Sequence, residues 1–162
     1  FHVAVVDIVN VDKIFNMTIK VATNFVHGFN LPQYETSESA GMDIRANITE
    51  CIVIKPGHTA MIPTGIKMEI PSGYELQIRP RSGLAAKYGV TVCNSPGTID
   101  ADFRGEVKVI LINHGLNEFI VNPGDRIAQA VLNKFERIEW KQVDTLENTA
   151  RGEGGFGSTG LK

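Results

Sequence analysis

The chain has 162 residues, 43% of them hydrophobic, and its 18 acidic against 16 basic side chains leave a net charge of −2. That is ordinary single-domain size with enough apolar material for a core, which excludes a disordered polyelectrolyte. The charge argues against broad binding to nucleic acid, and no stretch approaches the roughly 20 apolar residues that span a bilayer.

The apolar start FHVAVVDIVNV carries Asp7 and Asp12 and lacks a basic leader and a small-residue cleavage site, so it makes a poor signal peptide. Met17 precedes a strand-like Thr18–Ala22 and suits a natural start, leaving residues 1–16 as an extension of unassigned role. Turn signals then recur at Pro56-Gly57, Pro71-Ser72-Gly73, Pro96-Gly97, Asn113-His114-Gly115 and Asn122-Pro123-Gly124. Between them lie β-rich runs at Cys51–Ile54, Ile66–Ile70, Tyr74–Arg79, Glu106–Asn113 and Ile127–Phe135. Ile66, Met68 and Ile70 alternate with Lys67 and Glu69, as on a half-buried strand, whereas the continuous Val109–Ile112 predicts a strand covered on both faces. The one helical candidate is Ser82–Tyr88, led by a serine suited to cap it. Short strands punctuated by turns predict an all-β sandwich or barrel over residues 17–143. Residues 144–162 are polar and glycine-rich, which favours a disordered tail over one that orders on ligand.

Two cysteines, Cys51 and Cys93, build no disulfide framework and point to a reducing, cytoplasmic compartment. The four histidines stand at no zinc-ligand spacing.

Five segments carry chemistry. In AGMDIRA (40–46), Asp43 follows a glycine at a strand start; taken alone it is an ordinary turn residue. In PRSGLA (80–85), Arg81, Ser82 and Gly83 open the helix, where an anion or a plain cap fits equally well. In GTIDADFRGE (97–106), period-two alternation turns Asp100 and Asp102 to one face, and the flanking Ile99 and Phe103 imply a partly dry site rather than a solvated charge pair. GDRIAQ (124–129) is a turn entering a strand, with a surface hairpin as its plain reading. RGEGGFGSTG (151–160) matches a dinucleotide fingerprint only in form, since no strand leads into it and no helix follows. Its residue types nonetheless suit a polyphosphate and a base: glycine N–H groups, the Ser158 and Thr159 hydroxyls, the Arg151 guanidinium, and Phe156 for stacking.

In this order and spacing the five segments closely resemble the five motifs of the homotrimeric dUTPases (deoxyuridine triphosphate nucleotidohydrolases), over about Met17 to Lys162. The resemblance implies a distorted jelly-roll β-barrel with one short helix, assembled as a homotrimer with shared sites, and a mobile C-terminal arm (144–162) closing over a neighbouring subunit's site. It implies hydrolysis of dUTP to dUMP and pyrophosphate, which limits uracil in DNA and supplies dUMP for thymidylate synthesis. Asp100 then matches the base that activates water toward the α-phosphorus. Arg81, Ser82, Gly83, Gln129, Arg151, Ser158 and Thr159 match phosphate-holding positions. Asn94, Gly97, Thr98 and Ile99 fall in the base-reading hairpin, and Phe156 stacks on uracil. Mg²⁺ is held mainly by the triphosphate, with Asp43 acting indirectly through water. Most members carry tyrosine where this chain has Phe103, so the ring that excludes a ribose 2′-hydroxyl persists without its phenol.

Two competitors follow from the same resemblance. A related dCTP deaminase needs an acid beside the pyrimidine amino group, and residues 92–99 contain none. A non-catalytic nucleotide sensor is opposed by the intact Asp100.

Overall fold

The computed structural model describes residues 17–155. Among these residues the chain forms eleven strands and one helix: β1 (Lys20–Thr23), β2 (Met42–Arg45), β3 (Ile52–Ile54), β4 (Thr59–Pro63), β5 (Ile66–Glu69), β6 (Tyr74–Arg79), α1 (Ser82–Tyr88), β7 (Val90–Val92), β8 (Gly97–Ile99), β9 (Lys108–Asn113), β10 (Phe119–Val121) and β11 (Arg126–Lys134). A four-stranded sheet runs in the order β2-β11-β6-β8 and a three-stranded sheet in the order β4-β9-β7. Two-stranded ribbons, β1-β5 and β10-β3, complete the shell. All pairings between these strands are antiparallel.

One core joins both sheets. Ile44, Leu76, Ile78 and Ile127 enter it from the four-stranded sheet, and Ile62, Val90, Val109 and Leu111 from the three-stranded sheet. Ile54 and Val121 close it from the β10-β3 ribbon. The predicted all-β architecture with a single short helix is the one observed, a jelly-roll arrangement of strands around one interior.

The alternation predicted around Ile66 holds: Ile66 and Ile70 are buried while Lys67 and Glu69 face solvent. Two local expectations change. β9 is not covered equally on both faces, because Val109 and Leu111 are buried while Ile110 and Ile112 are only half-buried. Ser82 does not cap α1: Arg81 takes the N-cap position, with no side-chain capping bond, and Ser82 is the first helical residue. The sharp entry into β11 requires Gly124, whose φ of +81° suits glycine and whose missing Cβ leaves room for the Phe29 ring at 3.0 Å.

Asn113 is a buried polar link among β3, β9 and the following loop. It is 0% exposed. Its Nδ2 donates to the Ile54 and Asn117 carbonyls, both at 2.8 Å, and its Oδ1 accepts from the Gly115 N–H at 2.8 Å. Truncation leaves the buried Ile54 carbonyl and the part-buried Gly115 N–H without this partner, a penalty of about 1–3 kcal/mol for each group that water does not reach. Asn113→Ala is therefore expected to lower unfolding stability by at least about 2 kcal/mol, measured by urea denaturation. A loss below about 0.5 kcal/mol would contradict this role.

Candidate active site

The candidate residues collect around one carboxylate. On β2, Ile44 points into the core, so its neighbour Asp43 emerges on the outer face of the sheet. Register places Asp43 opposite Gln129 on β11, and Gln129 opposite Arg79 on β6. Just beyond β6, Arg81 folds back and its Nε donates to Asp43 Oδ1 at 3.2 Å. Arg126 Nη1 donates to Asp43 Oδ2 at 3.1 Å, and Gln129 Nε2 reaches Oδ1 at 3.5 Å, a long contact. The cluster is tied once more by Arg81 Nη1 donating to the Arg126 carbonyl at 2.9 Å. Asp43's side chain is 13% exposed and that of Arg81 24%, whereas Arg126 is 44% exposed.

Two guanidinium groups on one carboxylate leave a local excess of one positive charge. Each arginine also keeps N–H donors that these bonds do not use. Such a cluster is suited to phosphate oxygens. Three of the carboxylate's roughly four acceptor positions are taken, and the remaining one lies at Oδ2. Among the described residues no three His, Cys, Asp or Glu side chains converge as a metal cage.

Arg126 was not singled out from the sequence. In a regular strand, residues three apart face opposite ways, which would set Arg126 against Gln129. A register shift between Arg126 and Ala128 resets the alternation, so Arg126 pairs with Arg45 while Gln129 pairs with Asp43. Both side chains then share Asp43's face, and Ile127 and Ala128 are buried in succession. An arginine directly after a Pro-Gly-Asp turn is the only local hint of this arrangement.

Asp100 lies elsewhere. β8 pairs with β6 at the far edge of the same sheet, and Asp100 follows its last residue, Ile99. The extended alternation expected for Asp100 and Asp102 does not occur. The chain turns, with the Phe103 N–H donating to the Asp100 carbonyl at 3.1 Å. Arg104 Nη1 stabilises this turn by donating to the carbonyls of Ala101 at 2.7 Å and Phe103 at 3.0 Å. Asp102 is exposed and adds no side-chain bond among the described residues.

The two acids nevertheless line one cleft, with Ser72, Gly73, Phe135 and Arg137, of about 490 Å³. The site is also wetter than expected in this chain, since Asp100 is exposed and Phe103 is 43% exposed. The reason is geometric: Ile99 turns partly into the sheet, while the Phe103 ring lies back over Gly105. Arg137, which sequence reasoning missed, reaches the cleft because the Phe135 N–H donates to the Gly73 carbonyl at 3.1 Å and carries the chain past β11.

The remaining candidates divide between these places. Ser82 and Gly83 are exposed at the start of α1, beside Arg81. Asn94 and Thr98 are exposed near β8, and Gly97 is buried, with room for a Cβ only 3.3 Å from Asn94 Nδ2. Arg151 is exposed, and its Nε donates to the Gly154 carbonyl of its own turn at 2.8 Å. Phe156, Ser158 and Thr159 lie outside the described residues. β2 and β8 are separated by two strands, so three inter-strand spacings alone amount to about 14 Å, and the register sets Asp100, which follows Ile99 opposite Leu76, several residues further along the sheet than Asp43, which lies level with Arg79.

Comparison with known proteins identifies this arrangement. The family pattern described as dUTPase matches residues 27–160. A Rickettsia bellii protein named deoxyuridine 5'-triphosphate nucleotidohydrolase is 57% identical over 148 residues, covering 91% of this chain and 97% of the relative. One of the same name from Fusobacterium nucleatum is 55% identical over 133 residues, covering 82% and 91%. Among solved structures, a Staphylococcus bacteriophage 80alpha dUTPase with dUPNHPP superposes with a TM-score of 0.76 at 27% identity, covering 89% of this chain and 99% of that one. A phage phi11 dUTPase mutant, described as coordinating a structural Mg(II) ion, shares the fold with a TM-score of 0.71 at 24% identity, covering 82% and 100%. With most of its length matched by the family pattern, the chain belongs to the dUTPase family.

Proposed function

We propose that this chain hydrolyses dUTP to dUMP and pyrophosphate, with Asp100 as the base. The observation that carries this reading is the placement of a carboxylate at the rim of an open cleft while a separate arginine cluster, pinned by Asp43, keeps free donors for phosphate. Membership of the dUTPase family supplies the substrate.

Asp100 accepts a proton from a water aimed at the α-phosphorus. The water oxygen bonds to that phosphorus as the bond to the bridging α–β oxygen breaks, and pyrophosphate leaves. A carboxylate is a weak base, so orientation and charge neutralisation carry most of the rate. Arg81, Ser82, Gly83 and Gln129 hold the phosphate chain, and Arg151, Ser158 and Thr159 complete it. Asn94, Gly97, Thr98 and Ile99 read uracil, Phe156 stacks on it, and Phe103 places its ring beside the deoxyribose. The donor set fits Mg²⁺ arriving on the triphosphate: among the described residues no carboxylate cage would compete for it, and Asp43, whose Oδ2 keeps an open acceptor position, would hold it indirectly. Such an ion would supply charge neutralisation for the phosphates.

This separation within one sheet is the reason to assign the site to a homotrimer. One subunit's Asp100 cleft meets another's arginine cluster, and residues 144–162 serve as the arm that closes over them. Ile138, Trp140 and Leu146 support this reading, because at 71%, 87% and 86% exposure they are large apolar side chains with no cover in the single chain. Among the described residues no helix is long and apolar enough to cross a membrane. The proposed compartment is the cytoplasm, where the exposed thiols of Cys51 and Cys93 stay reduced.

Asp100→Asn is expected to cut kcat for pyrophosphate release from dUTP by at least about a hundredfold with KM little changed. Ammonia release from dCTP by the parent enzyme would instead establish the deaminase reading, and tight dUTP binding without turnover the sensor reading. Site sharing is tested by mixing inactive chains. Asp100→Asn and Arg81→Ala subunits refolded together should regain roughly a quarter of the parent activity, because statistical mixing leaves that share of interfacial sites intact. Recovery no greater than that of each variant alone would place both residues in one chain's site.

A further inference from the structure

The turn that carries Asp100 also fixes an aromatic ring, and a missing side chain sets how that ring lies. A Cβ added to Gly105 would stand 2.5 Å from Phe103 Cζ, 2.9 Å from Cε2 and 3.3 Å from Cε1. Ordinary carbon contacts lie near 3.5–4.0 Å, so ring and methyl cannot both occupy these positions. Backbone conformation gives no competing reason for glycine here, because Gly105 has no φ in the left-handed range. The nearest atoms are all from the Phe103 ring, and none are backbone. The absent Cβ therefore leaves the room that the ring occupies.

Phe103 is 43% exposed, with the distal edge of its ring against Gly105. The hydrogen bond from the Phe103 N–H to the Asp100 carbonyl at 3.1 Å locks ring and base into one turn. In any nucleotide whose α-phosphorus faces Asp100, the sugar follows after one oxygen and one methylene. The pose of this ring relative to Asp100 thus decides how much room the sugar has.

We infer that Gly105 is a specificity-determining positioning residue: by lacking a Cβ it seats the Phe103 ring where the ring discriminates deoxyribose from ribose. The inference rests on the proposed reading that Phe103 borders the sugar. A methyl at Gly105 swings the ring off its seat while leaving Asp100 and its turn in place.

The test compares kcat/KM for dUTP and UTP in the full-length parent, Phe103→Ala, Gly105→Ala and the double variant, with thermal unfolding of each. Gly105→Ala is expected to reduce the dUTP-over-UTP ratio by roughly tenfold or more, mainly through a rise in kcat/KM for UTP. In the Phe103→Ala background the same change should have no further effect on the ratio, since no ring remains to displace. Should Gly105→Ala also lower Tm, the double variant should recover it. Loss of discrimination in Phe103→Ala with the ratio unchanged in Gly105→Ala would overturn the inference and spare the sugar reading. An unchanged ratio in Phe103→Ala would overturn the sugar reading itself. A further fall in the double variant, or a Tm that stays low, would show that Gly105 acts on something other than the ring.

Discussion

The contact on which the candidate site depends is the Asp43 carboxylate held between the Arg81 and Arg126 guanidinium groups. These side chains come from three segments far apart in the chain. The carboxylate is only 13% exposed, so leaving it unpaired would be costly, and leaving the arginines without it would set two cations against each other. Arg126 is 44% exposed and its share of the attraction is screened, on the order of 1 kcal/mol at most. What the arrangement supplies above all is orientation. Arg81 is held at Nε by Asp43 and at Nη1 by the Arg126 carbonyl, so the rest of its fork has one direction to face. A guanidinium fixed before substrate arrives loses less freedom on binding a phosphate.

From that point the sheet distributes the other functions. β11 is the spine, pairing with β2 on one side and β6 on the other, and it places Gln129 between Asp43 and Arg79. β6 continues the order to β8, whose end launches the Asp100 turn. Base and phosphate cluster are therefore held by one rigid sheet and cannot approach each other within it. Exposure of Asp100 has the same origin: nothing among the described residues roofs the turn. On the proposed reading, assembly supplies the roof, and catalysis depends on subunit contacts as much as on chemistry.

Strand content, the short helix and the alternation at Ile66 were legible because they follow from local periodicity and turn residues. Strands β4, β7, β8 and β10 were not: β7, β8 and β10 have only three residues each, and β4 ends on Pro63, which weakens a strand signal. The pairing of Asp100 with Asp102 was read by the wrong geometry. Both acids line one cleft, but a turn with its own backbone hydrogen bond, stabilised by Arg104, brings them there instead of strand alternation. The serine-cap expectation failed because Arg81 already occupies the position before the helix, where its side chain is drawn to Asp43.

By itself the amino-acid sequence determined the chemistry and the kinship: five ordered motifs bearing an acid, arginines, hydroxyls and glycines of the kinds a triphosphate requires. Those properties reside in residue type and spacing, which need no fold to be read. Tertiary structure alone decided which of these groups meet. A single bulge at Arg126 turned it onto Asp43's face, the path beyond β11 carried Arg137 into the Asp100 cleft, and Gly105 made room for the Phe103 ring. The first two outcomes depend on register or pairing between segments distant in the chain, and the third on a ring folding back over a residue two positions later; none can be read from residue type alone.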